Sequence, residues 1–264
     1  MELTPFSHLT AAMQPDQDRH TVTLPPDWLQ GRTAYGGLSA AMCLEATQRI
    51  VLNLPPLRSA QFCFVGPANG LLTVKADVLR QGKSTVLVGA DLTGEDGLAV
   101  RSTLCFGAGR TSAHRHQALP MPQVPPPEAC PSYYDWPQKP NFMNHFVGRL
   151  AQGAMPRTPG AQPTMTVWLR HHDAGDETSL VRLLALADAL PPAALVLSTE
   201  PMPISTMTWS VDMLDAQPFS STGWWLVQAV ADTSHEGYSA QSTVIWSPDG
   251  QPVLLARQNV AIFG

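Results

Sequence analysis

The sequence contains little charge and no long apolar run. Charged side chains make up only 14% of its 264 residues, and the formal net charge is −5. Broad electrostatic attraction to nucleic acid or to an anionic membrane surface is therefore not expected. No apolar run approaches the roughly 18 residues that a membrane-spanning helix requires. We accordingly predict no nucleic-acid partner and no membrane insertion.

Cysteine and histidine are present without the spacing of a metal site. The four cysteines, Cys43, Cys63, Cys105 and Cys130, fit no CxxC or Cys/His zinc pattern, and the chain does not open with a charged segment followed by an apolar one. Free thiols in a reducing compartment, with the cytoplasm as the default, are expected. The histidines at 171–172 and at 114 and 116 lack carboxylate or thiolate companions, so we predict surface or packing roles and no metal.

The chain carries an internal repeat in which an apolar helix is followed by four strands. In the first half the predicted helix is 36–50 and the strands are 57–65, 71–79, 84–92 and 98–106. In the second half the helix is 177–190 and the strands are 203–214, 224–232, 238–246 and 252–263. Asp96-Gly97 and Asp249-Gly250 favour tight turns between the last two strands of each half, so these strands are predicted to be antiparallel. A doubly wound parallel sheet is disfavoured.

A proline-rich strap separates the two halves, because prolines recur from residue 120 to residue 140 and cannot donate to a sheet ladder. We predict three parts: residues 1–110, the strap at 111–140, and residues 141–264. The aromatic residues Tyr133, Tyr134 and Trp136 suggest that the strap is docked on the fold. The alternative is a disordered spacer.

The second-half helix is apolar almost all round after its first turn, which indicates burial on several sides. A strongly curved antiparallel sheet wrapped around a central helix would bury it in this way. This arrangement is the hot-dog fold, and two copies in one chain make an α+β double hot-dog.

Three polar residues of the second half are candidates for chemistry. Asp188 interrupts the apolar helix, and a carboxylate there needs hydrogen bonds or solvent. It either accepts hydrogen bonds from nearby backbone donors, faces solvent at the helix end before Pro191, or holds a water. The alternation of the last strand places Gln258 on the inward face, where it could also be a core amide with structural partners only. Thr206 shares the face of Thr208 by simple alternation, a pattern more typical of a solvated sheet surface.

Several stretches of the chain resemble the acyl-CoA thioesterase II family and its double hot-dog relatives. The matching segments are 183–188, 204–209, 225–227, 249–258, 32–37 and 57–66. The resemblance implies that Asp188, Thr206 and Gln258 jointly bind the attacking water. The hydroxyl could instead be Ser205 or Thr208, because Thr208-Trp209 stands where the family has an acidic residue followed by His.

The paired glycines have an expected role, and the two halves are expected to be chemically unequal. Gly36 and Gly37 open the first long helix and would permit close approach of a substrate to its backbone amides. Aligning the two Phe-Gly ends makes Arg101 the first-half counterpart of Gln258, so one catalytic set per chain is expected. Glu45 on the first helix is a second carboxylate candidate, since some single hot-dog thioesterases use one there.

The predicted function is hydrolysis of an acyl-CoA thioester by activated water, without a cofactor. Arg32, Arg101 and Arg170 are candidates to meet the phosphates of coenzyme A, and a homodimer is expected by analogy. A non-catalytic acyl-CoA binding or sensing protein of the same fold is the alternative. A serine hydrolase is disfavoured because Gly237-Tyr238-Ser239 lacks the second glycine of a nucleophile elbow. A hydratase is disfavoured because no Asp and His pair lies on one loop.

Overall fold

The computed structural model describes residues 3–136, 139–173, 175 and 178–264. The helices are α1 (Phe6–Ala11), α2 (Gly36–Ile50) and α3 (Leu180–Ala187). The strands of the first half are β1 (Gln14–Asp16), β2 (Arg19–Thr23), β3 (Leu29–Gln30), β4 (Thr33–Ala34), β5 (Leu57–Phe64), β6 (Leu71–Gln81), β7 (Thr85–Gly94) and β8 (Gly97–Gly107). Those of the second half are β9 (Phe146–Gly153), β10 (Thr164–His171), β11 (Ile204–Met213), β12 (Trp225–His235), β13 (Tyr238–Trp246) and β14 (Pro252–Ile262).

Both halves contribute to one continuous antiparallel sheet. Its strand order is β1-β2-β6-β7-β8-β5-β11-β14-β13-β12-β10-β9, so the second half repeats the order of the first in mirror sequence. The halves join where β5 pairs with β11, between Cys63 opposite Thr208 and Ser59 opposite Asp212. The positive φ angles of Gly97 and Gly250 lie in the two predicted turns. The α+β double hot-dog prediction is therefore confirmed.

Each half also contains strands before its helix that were not predicted from the sequence: β1 to β4 in the first half, and β9 and β10 in the second. β2 pairs with β6 in the first half, and β10 pairs with β12 in the second. β2 has only five residues, most of them polar. β10 is buried on both faces along most of its length, so it shows no alternation of apolar and polar residues.

The two central helices pack against each other and against the concave face of the sheet. α2 is buried along most of its length. α3 begins at Leu180, after the Ser179 side chain accepts a hydrogen bond from the Arg182 amide; residue 177, where it was predicted to begin, lies outside the described residues. The helix ends at Ala187 instead of residue 190. Pro191 explains the early end, because it lacks an amide hydrogen and its ring would clash with the carbonyl of Ala187 in a continued helix.

No helix in the described ranges combines the length and apolar character needed to cross a membrane.

The proline-rich strap is docked on the second half, as predicted. Its prolines lack amide hydrogens but keep their carbonyls, and two buried indoles donate to carbonyls of the strap. Trp246 Nε1 donates to Leu119 O and Trp168 Nε1 donates to Pro125 O, each at 2.9 Å. Farther along, Tyr133 N donates to Gly148 O and Leu150 N donates to Pro131 O, which partly covers the edge strand β9. The strap therefore binds both the outer face and one edge of the second-half sheet.

Candidate functional site

A cavity of about 560 Å³ lies where the two halves and the strap meet. Its polar wall includes Asp188 from the end of α3, Gln258 from β14 and Thr206 from β11. Apolar side chains from the first half, the strap and the second half form much of the remaining wall; they include Phe64, Val100, Trp136, Phe142, Leu190 and Ile204. The structure therefore brings the three predicted polar residues to one cavity that has both polar and apolar walls.

Asp188 is held at the cavity by hydrogen bonds to the chain on either side of it. α3 has ended at the preceding residue, and its last carbonyls need partners from elsewhere. The Tyr35 hydroxyl, from the segment before α2, donates to Ala185 O at 3.0 Å, and the Tyr134 hydroxyl, from the strap, donates to Ala189 O at 2.9 Å. The two phenols thus fix the backbone that carries the carboxyl group.

The carboxyl group of Asp188 receives hydrogen bonds from both halves of the chain. Gln258 Nε2 donates to its Oδ1 in a short hydrogen bond, and the backbone amide of Gly37 at the N-terminus of α2 also donates to it. Burial raises the pKa of Asp188 to about 7, against the two hydrogen bonds, which lower it. The side chain faces the cavity, so a carboxyl group that titrates near neutrality is accessible to a small molecule there. Such a group can take a proton from water.

The paired glycines allow α2 to approach Asp188 closely. A Cβ on Gly36 would lie 2.7 Å from Asp188 Oδ2, and a Cβ on Gly37 would lie 2.6 Å from Ala185 O. Gly36 lines the cavity. Gly37 is buried beneath it, and its amide binds the carboxylate rather than facing a ligand. A side chain at position 37 would therefore meet the backbone of α3, and one at position 36 would meet the Asp188 carboxyl group and the Phe64 ring.

Gln258 is buried and points inward, as the alternation predicted. Its amide oxygen accepts a hydrogen bond from Gln241 Nε2 at 3.0 Å, and Gln241 Oε1 accepts one from the amide of Ala193 at 2.6 Å. Gln241 was not predicted from the sequence. Gln241 alternates with the polar residues Ser239 and Thr243, so in the sequence this face of β13 resembles a solvated one. In the structure all three residues are buried.

Thr206 lies on the inward face, so the prediction that it shares the face of Thr208 was wrong. The reason is a β-bulge: Thr206 is opposite Val260 and Thr208 is opposite Asn259, which leaves Met207 as an extra residue. The bulge reverses the alternation, so Thr206 lines the cavity. Residue Met207 is 44% exposed. Ser205 also borders the cavity, whereas Thr208 is on the exposed face.

Arg101 is not the first-half counterpart of Gln258; that position belongs to Ser102. Phe62 and Trp209 lie opposite each other where the two halves join. Ser102 is the β8 residue opposite Phe62, and Gln258 is the β14 residue opposite Trp209, so the two occupy corresponding positions. Aligning the Phe-Gly ends failed because they are out of phase: Phe106 is 1% exposed and Phe263 is 58% exposed.

In the first half, Ser102 replaces the amide of Gln258 and bonds only within that half. Its hydroxyl donates to Ala90 O at 2.7 Å, and it also hydrogen-bonds the buried thiol of Cys43. Arg101 faces solvent and pairs with Asp91, with Nη2 and Oδ2 2.7 Å apart. No counterpart of the Asp188–Gln258 pair therefore occupies this position.

The other candidates have structural partners. Glu45 pairs with Arg49 at 2.6 Å, and Arg49 also donates to the carbonyls of Met13 and Thr10. Arg170 lies over the Trp224 ring, 4.6 Å from its centroid. His171 is buried with its Nε2 2.9 Å from Arg182 O, which is a packing role as predicted.

Two exposed arginines border the cavity. Of the three predicted phosphate-binding candidates, Arg32 is at the cavity. Arg157, which lies in the loop between β9 and β10, is also there and was missed. No periodic pattern marks a loop residue, and only the fold brings Arg157 near Arg32.

Two helix-centred antiparallel units in one sheet, with a carboxyl–amide pair at the cavity between them, define a double hot-dog protein. The chain belongs to the acyl-CoA thioesterase family: the model of the acyl-CoA thioesterase C-terminal domain matches residues 123–262, and that of the acyl-CoA thioesterase N-terminal domain matches residues 24–107.

Solved structures share this fold over nearly the whole chain. A conserved protein of unknown function with a hot-dog fold from Alicyclobacillus acidocaldarius is 24% identical, with 99% of each chain covered and a TM-score of 0.87. A putative thioesterase II from Thermobifida fusca YX is 19% identical, with 100% of this chain and 99% of that chain covered and a TM-score of 0.82. The tesB protein of Mycobacterium avium subs paratuberculosis is 16% identical, with 98% and 99% covered and a TM-score of 0.79. A search of curated proteins finds no match.

We expect the Gly37→Ala variant to be less stable than the wild type. Its Cβ would meet Ala185 O and Asp188 Cβ at 2.6 and 2.9 Å, and overpacking of this kind costs about 1–3 kcal/mol. Alanine is otherwise favoured over glycine in a helix by about 1 kcal/mol, so a gain in the free energy of unfolding would contradict the close packing of α2 on α3. Urea unfolding measures the change. Gly109→Ala, where the added Cβ meets nothing within 4 Å, is the matched control.

Ionisation of Asp188 should lower the free energy of unfolding as pH rises. Its folded pKa of about 7 lies above the ordinary value of 3.8. The stability that the protonated carboxyl group contributes to the fold is therefore fully present below about pH 4 and is lost as pH rises through about 7. The free energy of unfolding of Asp188→Asn, measured relative to that of the wild type, should therefore be higher at about pH 8 than at about pH 5. Urea unfolding at both pH values measures this difference, with Asp212→Asn on the exposed face of β11 as control. An identical difference at both pH values would contradict the raised pKa.

Proposed function

We propose that the protein hydrolyses acyl-CoA thioesters by direct attack of a water activated at Asp188. The observation that carries this proposal is the Asp188 carboxyl group, which has a pKa raised to about 7 by burial and is held by Gln258 and Gly37 at the wall of the cavity. Family membership supports thioester hydrolysis in general. The identity of the water-binding residues and the order of steps belong to the proposal.

Asp188 acts as the general base in this mechanism. The ionised carboxylate takes a proton from water as the water oxygen attacks the thioester carbonyl carbon. Gln258 has a second amide hydrogen besides the one given to Asp188, and this hydrogen and the Thr206 hydroxyl orient the water. When the carbon–sulfur bond breaks, the protonated Asp188 returns its proton to the departing thiolate. The products are the free acid and coenzyme A.

The N-terminus of α2 stabilises the carbonyl oxygen as it gains negative charge. The first amides of a helix lack intrahelical partners and lie at the positive end of its dipole. Because the amide of Gly37 is bound to Asp188, the amide of Gly36 at the cavity wall is the better candidate for this contact. A preorganised amide of this kind is worth about 3 kcal/mol in the transition state.

The cavity suits the two chemically different parts of an acyl-CoA. The acyl chain occupies the apolar region near Phe64 and Phe142, and the phosphates of coenzyme A bind Arg32 and Arg157 at the opening. The homodimer and the division into residues 1–110, 111–140 and 141–264 remain predictions.

We expect Asp188→Asn to lower kcat at least about 100-fold, because removal of a general base typically costs that much. Gln258→Leu and Thr206→Val should lower kcat less than Asp188→Asn does. The kcat of the wild type should rise with pH through about 7, because Asp188 ionises there. Purified protein is assayed with a panel of acyl-CoAs and a thiol reagent. Asp212→Asn is the matched control. Undiminished hydrolysis by Asp188→Asn would refute the mechanism, and tight acyl-CoA binding by the wild type without thiol release would favour a sensing protein.

Replacement of both cavity arginines should raise KM only for substrates that carry phosphates. We expect the Arg32→Gln, Arg157→Gln variant to have a KM for acyl-CoA raised about 10-fold, because exposed charge pairs are worth up to about 1 kcal/mol each. The same acyl group on N-acetylcysteamine, which has no phosphate, should keep its KM. Arg101→Gln, which alters an arginine paired with Asp91, is the control. An equal rise with both thioesters would contradict phosphate binding.

A further inference from the structure

A chain of hydrogen bonds with a fixed direction leads from a backbone amide to Asp188. The Ala193 amide donates to Gln241 Oε1 at 2.6 Å, Gln241 Nε2 donates to Gln258 Oε1 at 3.0 Å, and Gln258 Nε2 donates to Asp188 Oδ1. Ala193, Gln241 and Gln258 are buried. Each of these buried polar groups therefore depends on the next group in this series of hydrogen bonds for its partner.

The backbone supplies the direction because an amide N–H can only donate. Pro191 and Pro192 have no amide hydrogen, so Ala193 carries the first one after Leu190. It opens the short 3-10 helix Ala193–Val196, where the first amides have no partner within the helix. Its donation requires the oxygen of Gln241 to face Ala193, which turns the NH2 group of Gln241 toward Gln258.

The same constraint passes through the second glutamine. Since Gln258 must present its oxygen to Gln241, it must present its NH2 group to Asp188. A donor at this position favours the ionised carboxylate, which only accepts hydrogen bonds. The reversed amide would place a carbonyl oxygen against Asp188, and that arrangement is stable only when the carboxyl group carries a proton.

We propose that Gln241 is a positioning residue that fixes the orientation of the Gln258 amide and thereby keeps Asp188 ready to accept a proton. Gln241 is not a catalytic residue in this proposal, because it acts through Gln258. The kinetic part of the inference rests on the proposed function. The titration of Asp188 does not, and it can be followed in the protein without substrate.

Other groups around Asp188 leave this dependence on Gln241 intact. Burial raises the pKa values of Tyr35 and Tyr134 well above 10, so both phenols stay neutral while they donate to the carbonyls beside Asp188. On the α2 side the contact is the uncharged amide of Gly37. Within the described part of the chain, the charged residues of the cavity wall besides Asp188 are Arg32, Arg157 and Glu200.

The test compares the titration midpoint of Asp188 in two variants and a control. Gln241→Met removes both hydrogen bonds of Gln241 at similar volume, so the Gln258 amide becomes free to turn its oxygen toward a protonated Asp188. This added stabilisation of the protonated form should raise the midpoint by about one unit. Gln241→Glu keeps the acceptor for Ala193 and adds a like charge, and it should raise the midpoint further. The midpoint is read from the NMR signals of 13C-carboxyl aspartate, with Asp188→Asn assigning the signal, and from the pH profile of kcat. Thr243→Val, a buried change two residues along β13, should leave it unchanged.

The outcomes separate this inference from the proposed function. A midpoint within about 0.3 units of wild type in the variants overturns the role of Gln241, even where kcat falls, because loss of packing alone lowers kcat at every pH. If Gln241→Met fails to fold, Gln241→Leu, which likewise makes neither hydrogen bond and adds no charge, decides. If the wild type hydrolyses no thioester, the proposed function fails, and the 13C titration still decides the role of Gln241.

Discussion

The structure depends on keeping one ionisable carboxyl group, Asp188, in a mostly apolar interior. A carboxylate in such surroundings costs several kcal/mol unless donors compensate for the lost water. The donors come from both halves of the chain: the amide of Gly37 from the first and the side chain of Gln258 from the second. Neither half alone supplies them. The shared sheet, the contact between α2 and α3, and the glycines at their junction all serve to hold this arrangement.

The duplication is architecturally symmetric and chemically unequal. The mirrored strand order places Ser102 and Gln258 at equivalent positions, but Ser102 bonds only to Ala90 and Cys43 within its own half. The strap adds a second inequality, since it covers the outer face of the second half through the indoles of Trp168 and Trp246. The strap also carries Tyr134, which holds the backbone next to Asp188. The half that carries Asp188 is thus also the half to which the strap binds.

The elements with a regular signal could be predicted from the sequence, and those that depend on a local irregularity could not. The turns follow from the backbone preferences of Asp-Gly. The long strands, the apolar helix and the inward direction of Gln258 follow from periodicity. The strand β10 was missed because burial on both faces removes the alternation. The side-chain direction of Thr206 and the counterpart of Gln258 were wrong because each inference assumed an unbroken register. Arg157 and Gln241 gain their meaning from tertiary contacts that no spacing encodes.

The bulge at Met207 bears on how such a site arises in evolution. Within a regular strand, any number of point substitutions leaves the backbone phase unchanged, and position 206 would continue to project toward bulk solvent. One inserted residue moves every side chain of the strand on its N-terminal side to the opposite face of the sheet. A hydroxyl can thus be recruited to a ligand pocket by a single change in length, and homologous chains without that extra residue would need a different position to supply it.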